Sequence, residues 1–168
     1  MTAPPARRSL GQAFAYARDG LRHAARTQRT FRIHLAIAAG IGGLLLWLQV
    51  PPVEAAVIVL SMTVVLVAEL FNTGVEIVVD LLVERNHHAL AKAAKDIAAG
   101  AVVVGSVGTA VVGILLLGPP LGSALGLDVG LAGRVSRLIA VLTGVSGAVG
   151  LAWFARRAAR PASPRSPR

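Results

Sequence analysis

The chain has 168 residues, 55% of them hydrophobic, and a mean hydropathy of +0.69: too apolar for an ordinary water-soluble domain, and long enough for one domain or a few membrane spans. Seventeen Lys and Arg against eight Asp and Glu leave a formal charge of +9, yet the basic residues gather at the ends of apolar runs, as in a membrane protein. Aromatics make up only 4% and Cys is absent, which excludes a disulfide or Cys-zinc framework, gives base stacking little support, and leaves no nucleic-acid partner expected.

In chain order, residues 1–8 are expected to be a disordered amino terminus. From there Leu10, Phe14, Ala17, Leu21, Ala24 and Gln28 recur at three- and four-residue steps, while Arg18, Arg22, Arg26 and Arg29 fall on another face. This predicts an amphipathic helix lying in the membrane interface and drawn to anionic headgroups. An Arg-rich, acid-poor leader also reads as an organelle transit peptide, against which stands Asp19. Four apolar windows follow, at about residues 33–50, 55–83, 97–117 and 135–154, each near the roughly 20 residues that cross the hydrocarbon as a helix. Pro51-Pro52 is expected to end the first and Gly118-Pro119-Pro120 the third, with 118–134 an extracytoplasmic loop and 155–168 a basic disordered tail. A secretory signal peptide is not expected, because the first apolar run begins 32 residues in. The fold class is therefore all-α: an amphipathic interfacial helix, three core transmembrane helices and a fourth carboxy-terminal one.

Orientation follows from the loops. Seven Arg residues precede the first window (Arg7, Arg8, Arg18, Arg22, Arg26, Arg29 and Arg32), the turn from Gln49 to Glu54 has no Lys or Arg, the next loop carries Arg85, Lys92 and Lys95, and the tail carries Arg156, Arg157, Arg160, Arg165 and Arg168. Both termini are expected to be cytoplasmic. Arg134 and Arg137 sit at the outer end of the fourth window, and Gly144, Gly147 and Gly150 interrupt it, so that window fits the arithmetic less well.

The chemistry concentrates in the second window. At 100° per residue, Glu69, Asn72, Glu76 and Asp80 form one polar stripe about 80° wide. Each carboxylate at the bilayer centre costs roughly 2.5–3.5 kcal/mol, so three cost about 8–10 kcal/mol, close to all that the apolar residues of this helix return. A helix over 55–83 would be about 43 Å long and must overhang the hydrocarbon, which places Glu76 and Asp80 at the cytoplasmic interface and Glu69 near the inner edge of the apolar slab. One reading is structural: the acids pair with the Arg-rich helix and hold the bundle together. The functional reading is a site at the membrane–water boundary where carboxylates bind a divalent cation and one acts as base. His87-His88 with Lys92, Lys95 and Asp96 supply groups able to hold phosphate at the same face, and together the two sets suggest phosphoryl transfer to something embedded in lipid. No P-loop, H-R-D or D-F-G motif is present, which excludes a soluble-type kinase, and the glycines at 105, 108, 113, 144, 147 and 150 read as helix contacts.

These residues resemble a known family. Glu69-Leu-Phe-Asn72-Thr-Gly-Val-Glu76-Ile-Val-Val-Asp80, followed by Ala94-Lys95-Asp96, resembles the E-x-x-N-x-x-x-E-x-x-x-D and A-K-D signature of the prokaryotic diacylglycerol kinases, and Phe31-Arg32-Ile33-His34 resembles the segment before that family's first span. The resemblance covers about residues 9–117. It implies a three-span, homotrimeric kinase of the bacterial inner membrane that moves the γ-phosphate of Mg-ATP to a lipid hydroxyl, with active sites shared between subunits. Position by position it implies Glu69 as general base at the lipid hydroxyl, Asn72 as the residue that orients it, and Glu76 as a magnesium ligand that also approaches ATP. Lys95, Asp96 and Tyr16 are then nucleotide contacts, and Arg32 joins Glu69 in lipid binding. Gln28 departs from the family, which usually has a metal-binding Glu there; an amide keeps an oxygen ligand and loses a charge. The fourth span and Arg tail also lie outside the three-span plan. The acceptor is diacylglycerol or undecaprenol, the His34 and His87-His88 segments looking closer to the Gram-positive branch. The rival from another class is a non-enzymatic membrane protein, such as a transporter subunit, whose acids form a proton or cation path.

Overall fold

The computed structural model describes residues 9–84 and 88–158. They form five helices, α1 Leu10–Thr27, α2 Arg29–Trp47, α3 Pro52–Leu82, α4 Ala89–Ala124 and α5 Val129–Ala158, and no strand occurs among the described residues. The protein is all-α, and α2 to α5 are each long and apolar enough to cross a membrane. The expected disordered amino terminus at 1–8, residues 159–168 of the expected tail, and Arg85 and His87 lie outside the described residues, whereas 155–158, expected as the start of that disordered tail, are the last turn of α5.

Ser9 starts α1 with a capping box: its hydroxyl accepts from the Gln12 amide at 3.3 Å and the Gln12 side chain accepts from the Ser9 amide at 3.0 Å, satisfying two donors that a helix start leaves open. Gln28 alone separates α1 from α2. Its backbone is extended (φ −101, ψ 113) and its amide bonds the Ala24 carbonyl. Only the carboxy-terminal end of α1 packs: Ala24 is buried, whereas Leu10, Phe14 and Leu21 of the predicted apolar face are exposed in the single chain, as suits a face made for the headgroup boundary. After α2, Gln49 adopts a left-handed conformation (φ 49), and Pro52 takes the first position of α3, where a missing amide hydrogen leaves nothing unsatisfied.

Both ends of α4 differ from the sequence expectation, and α5 runs from Val129 to Ala158 rather than over the expected 135–154. α4 begins at Ala89, so Lys92, Lys95 and Asp96 lie on its first turns rather than in a loop; Ala89, Ala91, Ala93 and Ala94 explain this, Ala being the strongest helix former. α4 also continues through Gly118-Pro119-Pro120 to Ala124, so the expected loop at 118–134 is helical over most of its length. Proline removes two backbone hydrogen bonds here, but Leu117 and Gly122 are buried and packing holds the segment, as membrane helices allow. The true turn is 125–128. Gly126 is left-handed (φ 76), its amide bonds the Ser123 carbonyl, and the Leu127 amide bonds the Gly122 carbonyl at 2.9 Å, a Schellman ending. Asp128 then caps α5, accepting from the Leu131 amide at 2.8 Å.

The chain divides into two compact units, one of residues 1–43 and 62–102, the other of 44–61 and 103–168. In the first, Ala24, Phe31 and Val65 are buried beside Glu69 and Thr73. In the second, α4 and α5 form an antiparallel hairpin with small residues at its seam. A Cβ on Gly122 would lie 2.5 Å from that of Ala132, one on Gly118 2.7 Å from that of Ser136, and one on Gly147 2.6 Å from a Val107 methyl. Such close backbone approach is how helices associate where lipid gives no hydrophobic drive. It accounts for Gly147, and Gly144 makes an ordinary contact with Val111, whereas Gly108, Gly113 and Gly150 face no neighbour within 4 Å.

Candidate active site

The polar stripe of α3 is graded along the helix. Glu69 is 2% exposed, Asn72 and Glu76 are half-buried, and Asp80 is exposed. A buried carboxylate persists only when hydrogen-bonded, and α2 supplies the donors. Thr30 Oγ1 donates to Glu69 Oε2 at 3.1 Å, and His34 Nδ1 lies 2.8 Å from Glu69 Oε1. Residues 30 and 34 are one turn apart, so both project from one side of α2. Each carboxylate oxygen thus has one side-chain partner, a charge-assisted contact worth roughly 1.5–3 kcal/mol. Thr73 Oγ1 donates to the Glu69 carbonyl at 2.9 Å, keeping its own hydroxyl satisfied within α3.

Two turns on, Glu76 receives two amides. Asn72 Nδ2 donates to its Oε1 at 3.1 Å, and Gln28 Nε2 donates to its Oε2 at 3.4 Å. Gln28 reaches Glu76 because the break between α1 and α2 turns residue 28 toward α3. Asn72 Oδ1 is buried and has no hydrogen-bond partner. Further along, Lys95 Nζ pairs with Asp80 at 2.9 Å and Lys92 pairs with Asp96, both exposed and therefore weak as stabilising contacts.

The structure therefore brings Glu69, Asn72, Glu76 and Gln28 onto one side of the first unit, with Lys95 at the next acid of the stripe. Arg32 is exposed and its guanidinium donates to the Arg26 carbonyl at 3.3 Å, closing the end of α1 rather than meeting Glu69. Tyr16 is 60% exposed on α1. Among the described residues no Arg of α1 pairs with Glu69, Glu76 or Asp80, so the structural reading of the stripe lacks the contact it requires. None of the described residues forms a group of three or more His, Cys, Asp or Glu able to hold a metal, and a cation here would rely on Glu76 and amide oxygens. Sequence reasoning missed the role of Thr30 and noted His34 only as part of a motif, although polar residues at i and i+4 entering an apolar run are a legible signal.

Residues 15–117 match the family model described as prokaryotic diacylglycerol kinase, and the chain belongs to that family. It is 43% identical over 108 residues to a diacylglycerol kinase of Synechocystis sp., an overlap of 64% of this chain and 62% of that protein. It is 41% identical over 112 residues to an undecaprenol kinase of Bacillus subtilis, covering 66% of this chain and 89% of that protein. The chain thus spans less than two thirds of the Synechocystis protein's length. No solved structure gives a significant match. The stripe, α1 from Ala15 onward and the first turns of α4 all fall inside the family match, and α5 lies beyond it.

Proposed function

We propose that the chain is an ATP- and magnesium-dependent lipid kinase of the bacterial inner membrane, acting at the cytoplasmic interface as a homotrimer with shared active sites. The observation that carries this is the buried Glu69 carboxylate, held at both oxygens by α2 and set two turns from a second carboxylate ringed by amides. Glu69 takes the proton of the lipid hydroxyl. The hydroxyl oxygen forms a bond to the γ-phosphorus as the bond from that phosphorus to the β,γ-bridging oxygen breaks, and ADP leaves with a lipid phosphate monoester as product. Glu76, with Asn72 Oδ1 and Gln28, would hold magnesium, and the buried oxygen of Asn72 that lacks a partner fits a hard, oxygen-seeking cation. When bound, that ion supplies charge neutralisation at the phosphates. Lys95 adds a cation on leaving Asp80, Asp96 and Tyr16 contact the nucleotide, and Arg32 binds the lipid headgroup region.

The acceptor is a long-chain lipid alcohol, diacylglycerol or undecaprenol, the two relatives, a diacylglycerol kinase and an undecaprenol kinase, supporting one each. The open groove of α3 lined by Leu70, Phe71, Gly74, Val75, Val78 and Val79 supports a surface for lipid or a neighbouring subunit. Purified protein in mixed micelles with γ-labelled ATP and magnesium should label one of the two alcohols. If neither is labelled, and reconstituted vesicles conduct protons or cations instead, the acids serve a transport path and the kinase reading fails.

A further inference from the structure

We propose that Thr30 and His34 are positioning residues that clamp the Glu69 carboxylate for proton abstraction, an inference that rests on Glu69 being the base. Glu69 is 2% exposed, so water cannot orient it, and its oxygens meet Thr30 Oγ1 at 3.1 Å and His34 Nδ1 at 2.8 Å. A carboxylate has about four lone-pair directions. One donor at each oxygen leaves one direction per oxygen for the lipid hydroxyl and stops the group from rotating about its terminal torsion, which is otherwise broad. With Glu69 ionised as the base it can only accept, which assigns the hydrogen of this contact to His34 Nδ1. The two donors come from successive turns of α2 while the base is on α3, so the α2–α3 packing of the first unit sets the carboxylate plane. Removing one donor leaves the base in place but free to swing, and misplacement of a reacting group by about 1 Å can cost about 100-fold in rate.

The test uses the full chain in mixed micelles, with kcat and the KM for ATP measured separately. His34→Ala should lower kcat about tenfold or more and leave the KM for ATP within about twofold, because the lost contact acts on the base rather than on the nucleotide. His34→Asn places an amide donor where Nδ1 was and should recover most of that loss. Thr30→Val should lower kcat by about threefold, a single neutral donor contributing less. The decisive comparison is in the Glu69→Gln background, where adding His34→Ala should change the residual turnover less than about twofold, since a residue that acts through the base has nothing left to act on. Equal loss from His34→Ala with and without Glu69→Gln overturns the clamp, as does a His34→Asn variant as slow as His34→Ala, or parent-like kcat in both His34→Ala and Thr30→Val. Parent-like turnover of Glu69→Gln alone instead removes the base assignment itself.

Discussion

Replacing Gln28 with Glu tests the cation site by charge. Gln28 Nε2 lies 3.4 Å from Glu76 Oε2, so Gln28→Glu sets two carboxylates at about that separation. Their repulsion without a cation is about 1.2 kcal/mol at the dielectric of water and about 5 kcal/mol at an effective dielectric of about 20. Protonation caps the penalty, because neutralising an ordinary Glu carboxyl at pH 7 costs about 3.7 kcal/mol. A divalent cation between the two carboxylates relieves this repulsion, and the free energy released appears as affinity. The magnesium concentration for half-maximal activity should therefore fall by about eightfold at the least and by a few hundredfold at the cap. The same variant should unfold more easily than the parent without magnesium and regain that stability when magnesium is added, as a ligand that binds only the folded state requires. Magnesium titrations of the parent and Gln28→Glu that superimpose, in both activity and unfolding, would refute the placement of a cation between residues 28 and 76.

Glu69→Gln should reduce turnover to a small residual rate while leaving ATP binding largely intact, whereas Glu76→Gln should raise the magnesium requirement and weaken nucleotide binding; equal loss of nucleotide affinity in both, measured by equilibrium binding, contradicts the separate roles. Gly147→Ala should destabilise the α4–α5 hairpin by about 1–3 kcal/mol, because the new methyl would lie 2.6 and 3.1 Å from the methyls of Val107, whereas Gly133→Ala, with nothing within 4 Å, should be neutral or stabilising by up to about 1 kcal/mol. A lower resistance of Gly133→Ala than of Gly147→Ala to denaturing detergent would contradict the seam. Ser163→Cys, the sole thiol in a chain without Cys, should resist a membrane-impermeant reagent in intact cells, since the Arg-rich tail is expected inside; labelling there would show that α5 does not cross.

Part of the site was legible because carboxylates in an apolar run are costly enough to stand out one by one. Glu69 and Glu76 were visible on that ground and Asn72 by sharing their face, whereas what brings Gln28 against Glu76 is the break between α1 and α2. Thr30 and His34 were less visible, because a hydroxyl or an imidazole near a helix start costs little and raises no alarm without its partner in view. Helix ends were read least well. Pro119-Pro120 is a stop signal in water, but the flanking Gly118 and Gly122 pack on Ser136 and Ala132 and that tertiary packing overrides it, while the alanines from Ala89 carry α4 across what charge alone marked as a loop. The Ser9-x-x-Gln12 box was present in the sequence and agrees with the amphipathic pattern in starting α1 at Leu10.

Among the described residues the buried apolar side chains are few and several are small: Ala24, Ala132 and Ala140 beside Phe31, Leu45, Ile58, Val65 and Leu117. A water-soluble domain loses its helices when such a core opens, because its helices are held chiefly by tertiary packing. Here the alternative to packing against a neighbour is contact with acyl chains, in which the backbone hydrogen bonds must stay closed. Denaturation of this protein in a bilayer is therefore a dissociation of intact rods, nearly silent in far-ultraviolet circular dichroism. Its progress is a distance, read by a probe pair across a seam such as that between Val107 and Gly147, and the free energy obtained belongs to rod association rather than to helix formation.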